Sequence, residues 1–291
     1  MNDAIPDNRL RTYAEFVKLE HTVFSLPLIF AGALLHRASP LAAGAAGLVI
    51  CAALGARVMA MGLNRLIDAE IDARNPRTRQ RALPRGAMRT WEALLIVAVA
   101  GALYAASAWA IAPVCLRLSP LPVALFVIYP YLKRFTALAH LGLGLAWSMA
   151  PVSGWLAASR SLAGLREVGW LWLFSIFWVA GFDIIYATLD EAFDREAGLR
   201  SLPARIGVRP ALRVAATAHA VAFAALAALW ASQLGTAPSG AWLLAVGGLF
   251  IWQHRVAERK PEQAFFEINA IIGFFILAML MTAAWSWPRP V

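Results

Sequence analysis

A chain of 291 residues that is 60% hydrophobic, 15% charged and of mean hydropathy +0.63 is too apolar for an ordinary soluble domain. Its net charge of +9 would suit a nucleic-acid binder, but the basic residues gather in alternate connections between apolar stretches, which excludes nucleic acid as a partner and implies a lipid bilayer.

The expected fold is all-α, an integral membrane protein of one domain over residues 1–291. Apolar stretches fall at 22–36, 43–63, 92–114, 119–132, 137–158, 169–189, 212–233, 240–254 and 264–286. Most hold the roughly 20 residues that a crossing needs, and the fourth and eighth are short. With the N-terminus in the cytoplasm, most of the 26 Lys and Arg lie on the cytoplasmic side, leaving Arg37, Arg117, Arg160, Arg166 and Arg289 outside and the C-terminus outside. The first 20 residues carry Asp3, Asp7, Glu15 and Glu20 and lack a small-residue cleavage site, so no removable signal peptide is expected. Lys18 reads as a membrane anchor near the cavity mouth.

The second span ends in a polar cluster. Asn64, Asp68 and Asp72 recur at every fourth residue, drifting about 40° per step along one helix face, so their oxygens can converge. Arg57, seven residues earlier, lies on that face about 10 Å deeper, where an arginine needs an anionic partner or a wet cavity. Next comes Asn75-Pro-Arg77-Thr78-Arg79-Gln-Arg81-Ala-Leu-Pro84-Arg85-Gly86, which Pro76, Pro84 and Gly86 shape into a loop. Its guanidinium groups suit phosphate oxygens, gripped by a planar bidentate fork. Lys133 and Arg134 follow Tyr129-Pro130-Tyr131 at the end of the fourth span.

The sixth span ends in a second cluster. Asp190 and Asp194 repeat the four-residue step, Asp183 stands seven residues before Asp190, and Tyr186 shares their face. Gly198 offers a helix stop. A single DxxxD is weak evidence, but two at equivalent helix ends make a specific signal. Carboxylates beside lipid call for a cation, and Mg²⁺ prefers hard oxygens, often one or two carboxylates completed by substrate phosphates. Two facing acidic tips would clamp a diphosphate between Mg²⁺ ions. His21, His36, His140, His219 and His254 show no ligand spacing and read as packing or interfacial residues; Cys51 and Cys115 read as small apolar residues.

The segments Asn64-x3-Asp68-x3-Asp72 with Arg77-Thr78 and Leu83-Pro84-Arg85-Gly86, and Asp183-x2-Tyr186-x3-Asp190-x3-Asp194, resemble the UbiA superfamily of intramembrane aromatic prenyltransferases. The resemblance covers nearly the whole chain. It implies a nine-helix bundle around a central cavity capped on the cytoplasmic side. It makes Asn64, Asp68 and Asp72 the first Mg²⁺-diphosphate motif and Asp190 and Asp194 the second. Arg65 stands where the family often has Asp. The resemblance gives Arg57 an aromatic carboxylate to hold, sets Lys133 and Arg134 beside the diphosphate with Arg77 and Arg81, and lets Asp183 polarise the acceptor, receive its proton, or pair with Arg57. The implied substrates are a polyprenyl diphosphate and 4-hydroxybenzoate or a related aromatic acid in quinone biosynthesis, with 1,4-dihydroxy-6-naphthoate of the futalosine route as the alternative acceptor. No obligatory protein partner is implied, and the expected location is the bacterial inner membrane with the site at its cytoplasmic face. A cation-coupled carrier is the competing class, but carriers concentrate charge near the bilayer midplane, whereas these acids gather at one face beside an arginine-rich loop.

Overall fold

The computed structural model describes residues 9–17, 25–38 and 41–287, and Lys18 and His21 lie outside them. Its elements, in order, are α1 (Arg9–Val17), α2 (Leu26–Leu35), α3 (Ala43–Ile67), α4 (Ala69–Arg74), α5 (Thr90–Ile111), α6 (Pro113–Leu118), α7 (Pro120–Phe135), α8 (Ala139–Ser159), α9 (Gly169–Ala187), α10 (Glu191–Glu196), α11 (Leu202–Ile206), α12 (Val208–Leu229), α13 (Ala237–Ala257), α14 (Pro261–Phe265) and α15 (Glu267–Trp285). Every expected apolar stretch holds a helix over most of its described length. Among the described residues seven helical segments are long and apolar enough to cross a bilayer. The other two stretches, α2 and α13, fall outside that set: α2 has ten residues, and α13 carries His254 and Arg255 in its last turn.

The short fourth stretch is corrected. Its crossing runs from Pro113 to Phe135, because the chain breaks at Ala112 and bends again at Ser119 before Pro120, so α6 and α7 together reach 23 residues. The prolines explain both bends, since proline lacks the donor that would continue the preceding turn.

Helices α2, α8, α9, α12, α13 and α15 share one large core around Trp155, Phe174, Trp178 and Leu226, all essentially buried. Lipid supplies no hydrophobic drive between helices, so close backbone approach matters. A Cβ at Gly154 would stand 1.8 Å from the Ile29 carbonyl oxygen, and one at Gly32 2.0 Å from that of Pro151, so these glycines let α2 and α8 touch backbone to backbone. Helix α1 lies on the loop after the first cluster: Phe16 is buried with Ala82, Met88 and Ala93, and the Tyr13 hydroxyl donates to Glu92 Oε1 at 2.9 Å. Glu92 also accepts from the Arg89 amide at 2.7 Å, half of the capping box that starts α5.

Candidate active site at the helix ends

The two acidic clusters do not continue as uninterrupted helices. Asp68 breaks the chain between α3 and α4 at φ −96°, ψ 4°, and Asp190, ending a 3₁₀ turn, breaks it between α9 and α10 at φ −107°, ψ 5°. Both sit in the sparsely used bridge region between helix and strand conformations, frequent in functional residues. Asp side chains offer the backbone local hydrogen-bond alternatives to the helix, and short 3₁₀ pieces often mark functional hinges. Spacing alone pairs Arg57 with Asp183 and Asn64 with Asp190; the backbone instead makes Asp68 the counterpart of Asp190 and Asp72 that of Asp194.

Each of three carboxylates meets a cation. Lys133 Nζ donates to Asp68 Oδ2 at 2.6 Å, with Arg134 Nη2 3.6 Å from Oδ1 and donating to the Ile67 carbonyl at 2.7 Å. Arg81 Nη1 donates to Asp72 Oδ2 at 2.7 Å. Arg77 grips Asp190 with two nitrogens, Nε at 2.8 Å from Oδ1 and Nη2 close to Oδ2, while its Nη1 donates to the Tyr186 hydroxyl at 2.7 Å. Asp68, Asp72 and Asp194 are buried. Burial pushes the Asp68 carboxyl above its usual range, and the Lys133 ammonium pulls it part of the way back. Burial works against the charged Arg77 guanidinium, but Asp190 outweighs it and holds the group above its ordinary value.

Loop 75–86 is shaped, as Pro and Gly implied. Asn75 caps α4 in an extended conformation, as a residue before proline must; its Oδ1 accepts the Arg77 amide at 2.9 Å and its Nδ2 donates to Asp190 Oδ1 at 2.8 Å. Thr78 Oγ1 donates to the Asp72 carbonyl at 3.1 Å, and Gly86 turns at φ 73°. Sequence reasoning missed Asn75, though the Asn-Pro turn signal at its position was visible. Gly198 does stop α10, at φ 71°, with the Leu199 amide reaching back to the Asp194 carbonyl at 2.8 Å. The Arg200 backbone amide donates to the Lys133 carbonyl at 2.7 Å and its Nη1 to the Phe135 carbonyl at 2.9 Å, so the second loop caps α7.

Asp183 stands apart from the other acids. It pairs with His140 of α8, 2.6 Å from Nδ1, a partner that helical spacing did not reveal because it comes from another span. Tyr129 of α7 stands among Asn64, Arg57, Asp68 and Asp183. Tyr186 stacks on Phe265, centroids 4.2 Å apart.

Below these groups lies a cavity of about 190 Å³ between α2, α3, α5, α6, α7 and α8. Ala52, Ala53, Ala56 and Ala60 give α3 a small-residue face toward it, and its α3 wall from Val49 to Ala60 runs about 16 Å along the helix. Among its described lining residues Arg57 alone is charged, with Cζ 5.4 Å from the Trp147 ring centroid.

The donor set suits a hard divalent cation. Asp68 Oδ1 is buried without a hydrogen-bond donor among the described residues. Among the described residues no three His, Cys, Asp or Glu side chains are close enough to enclose an ion alone. An ion held by one or two carboxylates plus waters and substrate phosphate fits that arrangement.

The UbiA prenyltransferase family model matches residues 25–277. The chain belongs to this family. UbiA proteins named 4-hydroxybenzoate octaprenyltransferase resemble it along most of its length: that of Vibrio atlanticus (strain LGP32) is 30% identical over 227 residues, 77% of this chain and 78% of that protein. That of Sodalis glossinidius (strain morsitans) is 27% identical over 99% of this chain and all of that protein. The apo structure of a UbiA homologue from Aeropyrum pernix K1 superposes with a TM-score of 0.84 at 36% identity, covering 91% of this chain and 98% of that one. The UbiA homologue from Archaeoglobus fulgidus bound to GPP and Mg²⁺ shares the fold, with a TM-score of 0.70 at 18% identity over 94% and 99%. The protein is an integral membrane prenyltransferase of the UbiA fold.

Proposed function

We propose that this chain, read as one domain, transfers a polyprenyl group from a polyprenyl diphosphate to the ring of 4-hydroxybenzoate or a closely related aromatic acid, in ubiquinone or menaquinone biosynthesis, at the cytoplasmic face of a bacterial inner membrane. The N-terminus faces the cytoplasm and the C-terminus the outside. One observation carries the reading: acidic breaks after two spans, clasped by Arg77, Arg81 and Lys133, cap an apolar cavity whose single charged lining group among the described residues is Arg57.

Asn64, Asp68, Asp72, Asp190 and Asp194 would hold Mg²⁺, which when bound neutralises charge developing on the departing diphosphate. Arg77, Arg81, Lys133 and Arg134 turn from the carboxylates to the diphosphate oxygens, with guanidinium forks matched to them in geometry and charge. This stabilises the leaving group and promotes cleavage of the allylic C–O bond. The apolar cavity houses the chain and keeps water from the allylic cation. Arg57 binds the acceptor carboxylate, Asp183 faces its hydroxyl, and Tyr186 orients a substrate oxygen beside Arg77.

The test is an assay of purified protein in detergent with Mg²⁺, a panel of polyprenyl diphosphates, and either 4-hydroxybenzoate or 1,4-dihydroxy-6-naphthoate. EDTA-sensitive prenylation of an aromatic acid is expected, and the faster acceptor selects between the two routes. R57A should raise the acceptor KM about tenfold to a hundredfold, the scale of a lost charge-assisted pair. An unchanged KM removes Arg57 from the site, and turnover of neither acid sinks the reading.

A further inference from the structure

The His140–Asp183 pair lies outside the ring of carboxylates and basic side chains at the cavity mouth. The Leu202 backbone N–H donates to His140 Nε2 at 3.2 Å, so that nitrogen is an acceptor and carries no proton. The ring is therefore neutral with its one proton on Nδ1, which donates to Asp183 Oδ2 at 2.6 Å. His140 is almost completely buried at 6% side-chain exposure, whereas Asp183 keeps 24%. An amide that has no other ring nitrogen to meet thus fixes the tautomer, and the tautomer fixes one oxygen of the carboxylate. No described residue donates to the other oxygen, Oδ1, and the side chain keeps its partial exposure in the neighbourhood that Asp183 shares with Tyr129 and Arg57.

We propose that His140 is the positioning residue for Asp183, locking one carboxylate oxygen so that the other receives the hydroxyl proton of the aromatic acceptor. This rests on the prenyl-transfer reading above. In the step, the acceptor O–H bond breaks and its proton passes to Asp183 Oδ1. The C–O bond to diphosphate breaks with its electron pair leaving on the diphosphate, and the ring carbon ortho to the oxygen forms a bond to the resulting allylic cation. The same ring carbon then loses its hydrogen as a proton to the departed diphosphate, the C–H pair restores aromaticity, and Asp183 returns its proton to the oxygen. His140 keeps Nδ1–H throughout; were Nε2 the protonated nitrogen, it would meet the Leu202 N–H and Asp183 would lose its donor.

A double-mutant cycle and a spectrum test this. H140A should lower kcat for acceptor prenylation about tenfold to a hundredfold, the range for a residue that orients another, while the polyprenyl diphosphate KM stays put. H140N, which restores an N–H toward Asp183, should recover most of that loss. In a D183N background, H140A should cost no more than twofold further. Additive losses from the two changes, or a wild-type kcat in H140A, would overturn the proposal. Independently of any acceptor, ring ¹⁵N shifts assigned by difference against H140N should show His140 as the neutral Nδ1–H tautomer. The Nε2–H tautomer would overturn the positioning role even in an active enzyme. If the spectrum holds while the wild type prenylates neither acid, the functional reading fails and the pairing stands.

Discussion

At the first motif the chain leaves α3 through Asp68, runs into α4 and returns Arg81 from its own loop to Asp72, whereas at the second it leaves α9 through Asp190 and brings no arginine of its own to it. The guanidinium on Asp190 is Arg77, from the first loop. The basic stretch after the second motif is used elsewhere: exposed Arg195 pairs with half-buried Glu191, and Arg200 caps α7. Asp72 and Asp190, one from each motif, therefore take their arginines from one loop while Asp68 takes Lys133 from α7, and residues 75–81 clasp the two halves of the bundle across its mouth.

Equal dependence on the acids gives the largest expected effect. D68A and D190A should each lower turnover about a thousandfold at saturating Mg²⁺ and donor, the loss expected when stabilisation of a leaving diphosphate goes. Wild-type turnover by both would remove the metal assignment; survival of D190A alone would mean that the second motif merely anchors Arg77. Unequal dependence on the loops follows. R77A, which frees both Asp190 and Tyr186, should cost about a hundredfold in kcat/KM for the diphosphate, and R205A, from the second loop, less than twofold. R77K should recover only part, because a lysine ammonium cannot hold both Asp190 oxygens and the Tyr186 hydroxyl in one plane. If R205A matches R77A, the clasp is not confined to the first loop.

How much of this was legible in the sequence follows from the range of each signal. The spans, the same-side placement of the two acidic runs and the shaping of the loop by Pro76, Pro84 and Gly86 are local properties of composition and turn chemistry, and all could be read directly. The breaks at Asp68 and Asp190 were not, because a four-residue repeat reads as continuous helix unless the cost of interruption is known. Arg77 was read as a phosphate ligand, but its reach to Asp190, 113 residues away, depends on how α3 and α9 stand in the bundle. His140 looked like an ordinary packing histidine, since its partners Asp183 and Leu202 belong to other elements. The fourth span looked too short because Ala112 and Ser119, where the chain actually bends, are inconspicuous beside Pro113 and Pro120.

The smallest effects separate what the loop does for each motif. Thr78 binds backbone of the first motif, and its loss should act on stability: T78V leaves the buried Asp72 carbonyl without the hydroxyl 3.1 Å away, a change of about 1 kcal/mol read as a lowered midpoint in detergent unfolding, with kcat within twofold of wild type. Asn75 instead donates its amide to a carboxylate of the second motif at 2.8 Å while its own oxygen holds the turn that aims Arg77. N75A should therefore cost about tenfold in turnover, the low end for one hydrogen bond to a charged group, and little in the unfolding midpoint. N75D separates the two roles of the side chain, since it keeps the turn acceptor but sets a second anion against Asp190 in place of a donor. Activity in N75D at or above that of N75A would show that the turn matters and the bridge to Asp190 does not; activity well below it would assign the loss to the bridge between the motifs.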